Sequence, residues 1–106
     1  MAHYKVKSWS QFFWPIVDGI KKHDMRDLTD RPYKVGDELT LQEYDAFKGR
    51  YTGMEQDVKI TFITSKDTPC AFSSGFLDDR ACILSFELLG PVQGELSKVV
   101  LPCDVE

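Results

Sequence analysis

Apolar and polar residues alternate along several short stretches of this chain, and near the N-terminus the period changes to a helical one. In the segment HYKVK, Tyr4 and Val6 share one face while Lys5 and Lys7 share the other, which predicts a short strand over residues 3–7 with one buried side. From Ser10 to Ile20 the pattern turns helical. At ~100° per residue, Phe12, Phe13, Ile16, Val17 and Ile20 fall within an arc of about 140°. Ser8 or Ser10 is placed to cap the start of that helix, and Gly19 stands near its end. Pro15 conflicts with it, because an interior proline removes a hydrogen bond and costs ~3 kcal/mol. Either the helix begins near Trp14-Pro15 after a separate turn, or it kinks there. Trp14 lies outside the apolar arc and Trp9 lies between strand and helix; each reads as a satellite packing contact or as a functional aromatic.

The rest of the chain predicts β-structure. His23 to Leu28 alternates weakly, with Asp24 and Arg26 on one side and His23 and Met25 on the other. Thr29-Asp30-Arg31-Pro32 has the composition of a turn. Gly36-Asp37 predicts a tight turn with the glycine at positive φ. Glu38 to Tyr44 reads as a strand with Leu39 and Leu41 inward, and Ala46 to Glu55 as a polar loop. Asp57 to Ser65 alternates most regularly, with Val58, Ile60, Phe62 and Thr64 on one side and Lys59, Thr61 and Ile63 on the other. Lys66 to Arg80 has no period and reads as a loop. Ala81 to Leu89 predicts a strand with Cys82, Leu84, Phe86 and Leu88 inward. Gly90-Pro91 breaks the chain, Ser97 to Leu101 suggests an edge strand, and a tail follows. The expectation is a mainly β, α+β fold: five or six short strands in a small curled or closed sheet with one N-terminal helix beside it. Residues 1–89 would form the domain and residues 90–106 an extension.

Composition narrows the class. With 106 residues, 42% hydrophobic and 28% charged, the chain reads as one globular domain. No apolar run approaches the ~20 residues of a membrane helix, and the N-terminus lacks the apolar core of a signal peptide. The expectation is therefore a cytoplasmic protein with no membrane partner. Cys70, Cys82 and Cys103 are odd in number and match no metal or redox spacing, and His3 and His23 stand apart from them. Reduced thiols are expected, with Cys82 buried in a strand, and no metal or cofactor is implied. The net charge of −4 is uneven. Residues 1–34 hold seven Lys or Arg against four acids, and the remainder six against thirteen, so the halves carry +3 and −7. A phosphate-binding patch needs only local charge, so nucleic acid remains a candidate partner.

The densest chemistry lies in GIKKHDMRDLTDR, residues 19–31. If residues 23–28 are extended, Asp24 and Arg26 point the same way and Lys21 can join them. A carboxylate between two cations can hold a polar base edge: the lysine as a point charge, the arginine as a planar fork, the aspartate as an acceptor. The same trio also reads as a plain salt-bridge network. Asp30-Arg31 and Gly36-Asp37 have a structural reading too, with an aspartate bonding turn amides and an arginine tying loop to sheet.

GIKKHDMR resembles the G-x-K-x-x-E-x-R signature of ASCH domains in the PUA-like superfamily. The following DRPYKVGDELTLQEYD resembles the motif of a small single-domain phage and bacterial branch of that superfamily, and Tyr51-Thr52-Gly53 follows in the same order. The resemblance implies a small, strongly bent β-barrel with a cleft taken to bind RNA or a modified nucleoside. It carries Gly19, Lys21 and Arg26 into that cleft, with Asp24 where the family has glutamate, and Lys7 as a first-strand lysine. The shorter acid keeps the charge and loses one methylene of reach. A related branch hydrolyses N4-acylated cytidine. Its lysine corresponds to Lys21, but its threonine nucleophile falls at Asp24, and its distal glutamate has no match here. Some ASCH proteins are described as ribonucleases. The expected ligand-binding residues are Lys7, Trp9, Gly19, Lys21, Asp24, Arg26 and Arg31, with Trp9 or Tyr33 as a stacking face. If the protein is an enzyme, Lys21 and Asp24 take the catalytic roles. A third reading is a protein-interaction module that binds through the acidic half.

Overall fold

The computed structural model describes residues 1–29, 31–68 and 80–94. Its elements are β1 (His3–Trp9), α1 (Ser10–Val17), β2 (His23–Asp27), β3 (Glu38–Asp45), β4 (Arg50–Ser65) and β5 (Ala81–Leu88). The five strands form one sheet in the order β1-β3-β4-β5-β2. β1 runs parallel to β3, and the other neighbours pair antiparallel. The sheet curls until its edges nearly meet, and Arg26 Nη2 on β2 donates to the Lys7 carbonyl on β1 at 2.7 Å. The fold is a mainly β half-barrel with one short helix, as the alternation predicted.

The core fills the concave face. Val6, Leu39, Leu41, Val58, Ile60, Cys82, Leu84 and Phe86 are buried there with Phe13 and Ile16 of α1. Full burial of one such large side chain stabilises by about 1.5–3 kcal/mol. Cys82 is buried as expected. Burial pushes its thiol above the ordinary value, and its Sγ donates to the Arg26 carbonyl. Cys70 and Cys103 lie outside the described residues.

Bulges explain where strict alternation fails. Ile60 pairs with Phe86 but Phe62 pairs with Ser85, so Thr61 is the surplus residue on β4. A bulge of this kind reverses the facing of the later residues on its strand. Phe62, predicted inward, is 55% exposed, while Ile63, predicted outward, packs against the core. A second irregularity sits opposite Glu43: Gln42 faces Glu55 and Tyr44 faces Tyr51. Gly53, at φ 97°, lies inside that bulge. The predicted polar loop over 46–55 is therefore mostly strand. Only residues 46–49 turn, closed by Gly49 N–H to the Asp45 carbonyl at 2.8 Å. Leu88, predicted inward, is 40% exposed at the end of β5.

The helix is shorter than its apolar pattern. It runs through Pro15 and ends at Val17, with Trp9 at its N-cap and no side-chain cap. Ser8 belongs to β1, and Ser10 Oγ bonds the Tyr44 carbonyl, so neither caps it. Pro15 is tolerated because the carbonyl it leaves without a donor belongs to Gln11, an exposed residue. After Val17 the chain turns at Gly19, φ 78°, with Gly19 N–H to Ile16 O and Ile20 N–H to Pro15 O. This is the paired bonding of a Schellman stop. It leaves Ile20 80% exposed rather than on the buried arc.

Gly36 has φ 98°, as its turn requires, and Asp37 accepts the Ala2 and Lys34 amides. After Gly90, Gln93 forms a bridge to Glu55 and Val92 packs on the core, so the start of the extension docks against β4. The edge strand expected at 97–101 and most of the 66–80 loop lie outside the described residues. Among the described residues, no helix is long and apolar enough to cross a membrane.

Candidate functional site

β2 is one edge of the curled sheet, and its register decides what faces inward. Asp24 pairs with Leu84 and Arg26 with Cys82, and both partners are buried on the concave face. Directly paired residues share a face, so Asp24 and Arg26 point inward while Met25, 61% exposed, points out. On the opposite edge, Val6 and Ser8 point inward with Leu41 and Glu43, their β3 partners, and Lys5, Lys7 and Trp9 point outward. The seam between the two edges is therefore lined from within by a serine, an aspartate and an arginine.

The ion trio forms. Asp24 Oδ2 accepts from Arg26 Nε at 2.9 Å and lies 2.7 Å from Nη2. Lys21 Nζ stands 3.8 Å from Asp24 Oδ1 and donates to the His23 carbonyl. The Schellman stop places Lys21 here, because its amide also bonds the Pro15 carbonyl. The side chains of Lys21, Asp24 and Arg26 remain 20%, 16% and 19% exposed, so the trio borders solvent and is not sealed. Arg26 does two jobs with one nitrogen: Nη2 holds Asp24 and also reaches the Lys7 carbonyl across the seam.

Shallow hollows open along this seam. One of about 300 Å³ is lined by Lys7, Ser8, Trp9, Phe12, Asp24 and Arg26. The next, about 330 Å³, shares Phe12, Asp24 and the outward Met25 with it and adds Lys21, His23 and Ile83, so it opens around the edge of β2. A third, about 280 Å³, lies behind Gly19 and Lys21. Trp9 and Phe12 are 48% and 42% exposed at the rim. Lys21 Nζ stands 5.6 Å from the Phe12 ring centroid, within cation–π range.

Six of the seven expected binding residues therefore gather around the seam, in different ways. Lys21, Asp24 and Arg26 form its floor, Gly19 shapes one end, and Trp9 lines the rim. Lys7 contributes its carbonyl inward, while its ammonium lies 4.1 Å over the Tyr44 ring on the outer face. Arg31 does not join them. Its guanidinium carbon stands 5.9 Å from the Tyr4 ring centroid, and it lines none of the three hollows. That arrangement fits the loop-tying role. Tyr33, expected as a possible stacking face, is 5% exposed and meets Tyr4 edge-on. It is core.

On β1 and β3, two inward polar residues escaped the pattern reading. Ser8 is 4% exposed, lines the first hollow, and its Oγ has no hydrogen-bond partner among the described residues. Glu43 is 3% exposed and accepts from Trp14 Nε1 at 2.7 Å and Thr52 Oγ1 at 2.6 Å. Both were visible as strand parity. Ser8 follows Tyr4 and Val6 in step, and Glu43 follows Leu39 and Leu41. The prediction that β1 stops at Lys7 hid the serine. A buried hydroxyl without a partner costs about 1–3 kcal/mol. No group of three His, Cys, Asp or Glu suited to a metal occurs among the described residues.

No curated protein matches the chain. One family profile does, over residues 3–86, and that span contains both edges of the seam and every residue of the ion trio. The chain thus belongs to the family described as a domain of unknown function (DUF3850).

Proposed function

We propose that this protein is a binding module for RNA or a modified nucleoside, with the β1–β2 seam as its recognition site. The observation that carries the reading is the convergence of Lys21, Asp24 and Arg26 along two adjoining solvent-bordering hollows, one with Lys21 and Asp24, the other with Asp24, Arg26 and Trp9, and Phe12 at the rim of both. A flipped or single-stranded base needs a stacking surface, an acceptor for its amino group and donors for its carbonyls. Trp9 or Phe12 offers the surface, Asp24 the acceptor, and Lys21 and Arg26 the donors. The resemblance of GIKKHDMR and DRPYKVGDELTLQEYD to an ASCH-like, PUA-like branch supports the same reading.

The hydrolase alternative draws less support. The branch that hydrolyses N4-acylated cytidine uses a threonine nucleophile where this chain has Asp24, and its distal glutamate has no match here. Asp24 instead directs Oδ2 to two nitrogens of Arg26 and Oδ1 toward Lys21. That arrangement suits an acceptor held in place.

Equilibrium titration at low salt, with short single-stranded RNAs and a panel of methylated and acylated nucleosides, tests the proposal. Binding is expected in wild type and weaker by about tenfold, ~1.4 kcal/mol, in Lys21→Ala. Absence of affinity for both ligand classes overturns it. Product formation from a modified nucleoside, abolished by Lys21→Ala, would move the protein to the hydrolase class.

A further inference from the structure

The outer face of the sheet carries a second cluster that the seam does not use. Strand register puts Trp9 beside Tyr44 and Tyr44 beside Tyr51, one ring on each of β1, β3 and β4. Neighbouring strands lie ~4.8 Å apart, so the row spans roughly 10 Å. Trp9 and Tyr51 are 48% and 51% exposed, and Tyr44 meets Tyr51 edge-on at 5.2 Å. Beyond the row, the β3–β4 turn lifts Phe47 fully into solvent at 103% relative exposure, with Lys48 and Arg50 exposed beside it. Lys7 completes the cations from below, 4.1 Å over Tyr44.

Nearby acids do not cancel this charge in the obvious way. Glu43 is turned inward to Trp14 and Thr52. Asp45 Oδ1 accepts the Phe47 and Lys48 amides and so shapes the turn. One step down the same face the chemistry changes: Gln42 bonds Glu55, and Thr40 bonds Asp57.

Exposed rings alternating with cations are the surface that single-stranded nucleic acid uses, because every base has a stacking face and every linkage a charge. Trp9 and Lys7 belong both to this row and to the rim of the seam. Resting on the seam as a base site, we infer that the β3–β4 hairpin is a track for single-stranded RNA, along which the nucleotides flanking the recognised base lie over Trp9, Tyr51 and Phe47, with Tyr44 as the ring that braces Tyr51 and Lys7 between them. The ligand of the seam is then a base within a polymer rather than a free nucleoside.

Fluorescence anisotropy with end-labelled oligoribonucleotides tests this on the full chain. Affinity is expected to climb about tenfold for each of the first few nucleotides added to a mononucleotide, then level off. Phe47→Ala, Tyr51→Ala and the double variant Lys48→Ala/Arg50→Ala alter exposed positions and leave the core untouched. Each should weaken an oligomer of about eight nucleotides by roughly tenfold and change mononucleotide affinity by less than about twofold. An oligomer that binds wild type no better than a mononucleotide overturns the track and leaves the seam reading standing. So does equal oligomer affinity in wild type and all three variants. If neither mononucleotide nor oligomer binds wild type, both proposals fall together.

Discussion

The concave face of this sheet has two regions built on opposite principles. Where β3 and β4 pair, Leu39, Leu41, Val58 and Ile60 are all fully buried, and each removes only apolar surface from water. Where β1 and β2 approach, the inward positions are Ser8, Asp24 and Arg26, two of them ionic and one a hydroxyl without a partner among the described residues. The first region would be a sound core in any small β-domain. The second carries desolvation costs that apolar residues would avoid. A chain of this size has little stability to spare. The costly edge is therefore where function is to be sought.

The largest expected contrast comes from truncating one residue in each region. Leu41→Ala should lower unfolding free energy by about 3 kcal/mol, because the site is sealed and the cavity cannot fill with water. Denaturant melts read this directly, and ligand affinity of the folded fraction should be unchanged. Arg26→Met should cost less, about 2 kcal/mol, since the ion pair borders solvent, but should abolish binding. It removes both the partner of Asp24 and the bond that joins the two edges. The double variant Asp24→Asn/Arg26→Met should be less destabilised than the sum of its parts, and additivity within error would show that the pair is not coupled.

Ser8→Ala separates stability from binding most cleanly. Deleting a hydroxyl that has no partner should leave the melt unchanged or raise stability by about 1 kcal/mol, while affinity falls severalfold. A loss of stability would mean that Ser8 is structural. Phe62→Thr should shift stability by no more than about 0.5 kcal/mol, whereas Ile60→Thr, only two residues away, should cost several times more. Equal costs would remove the bulge at Thr61. The smallest effect concerns Cys82. Burial raises its thiol, so the folded state resists deprotonation, and this contribution is fully present below the ordinary thiol value of 9.0 and lost as pH rises beyond it. A Cys82→Ala variant should show a flatter decline of stability in that range.

The fold was largely legible because period-2 alternation is a local signal. It located β1, β3, β5 and most of β4, and the helical phase of Phe13 and Ile16 located α1. Alternation cannot register a surplus residue. The bulge at Thr61 therefore reversed Phe62 and Ile63, and the irregularity opposite Glu43 made the start of β4 look like a loop. Helical phase also ran past the glycine stop and carried Ile20 onto a face that ends at Val17. The site was legible in its trio, since Asp24 and Arg26 stand two apart on an edge strand. What stayed hidden was tertiary. No local pattern shows that the Lys7 carbonyl meets Arg26 across the seam, or that Arg31 turns away to Tyr4. Ser8 and Glu43 were within reach of parity alone, once β1 was allowed to run to Trp9.

Amide chemical-shift mapping by NMR, with a short single-stranded RNA and then a modified nucleoside titrated into labelled protein, tests the central claim most directly. The account predicts saturable shifts centred on Ser8, Trp9 and the Lys21 to Arg26 segment, with the amides of Leu39, Leu41, Val58 and Ile60 unmoved. Shifts confined to other surfaces, or none at low salt, would contradict it.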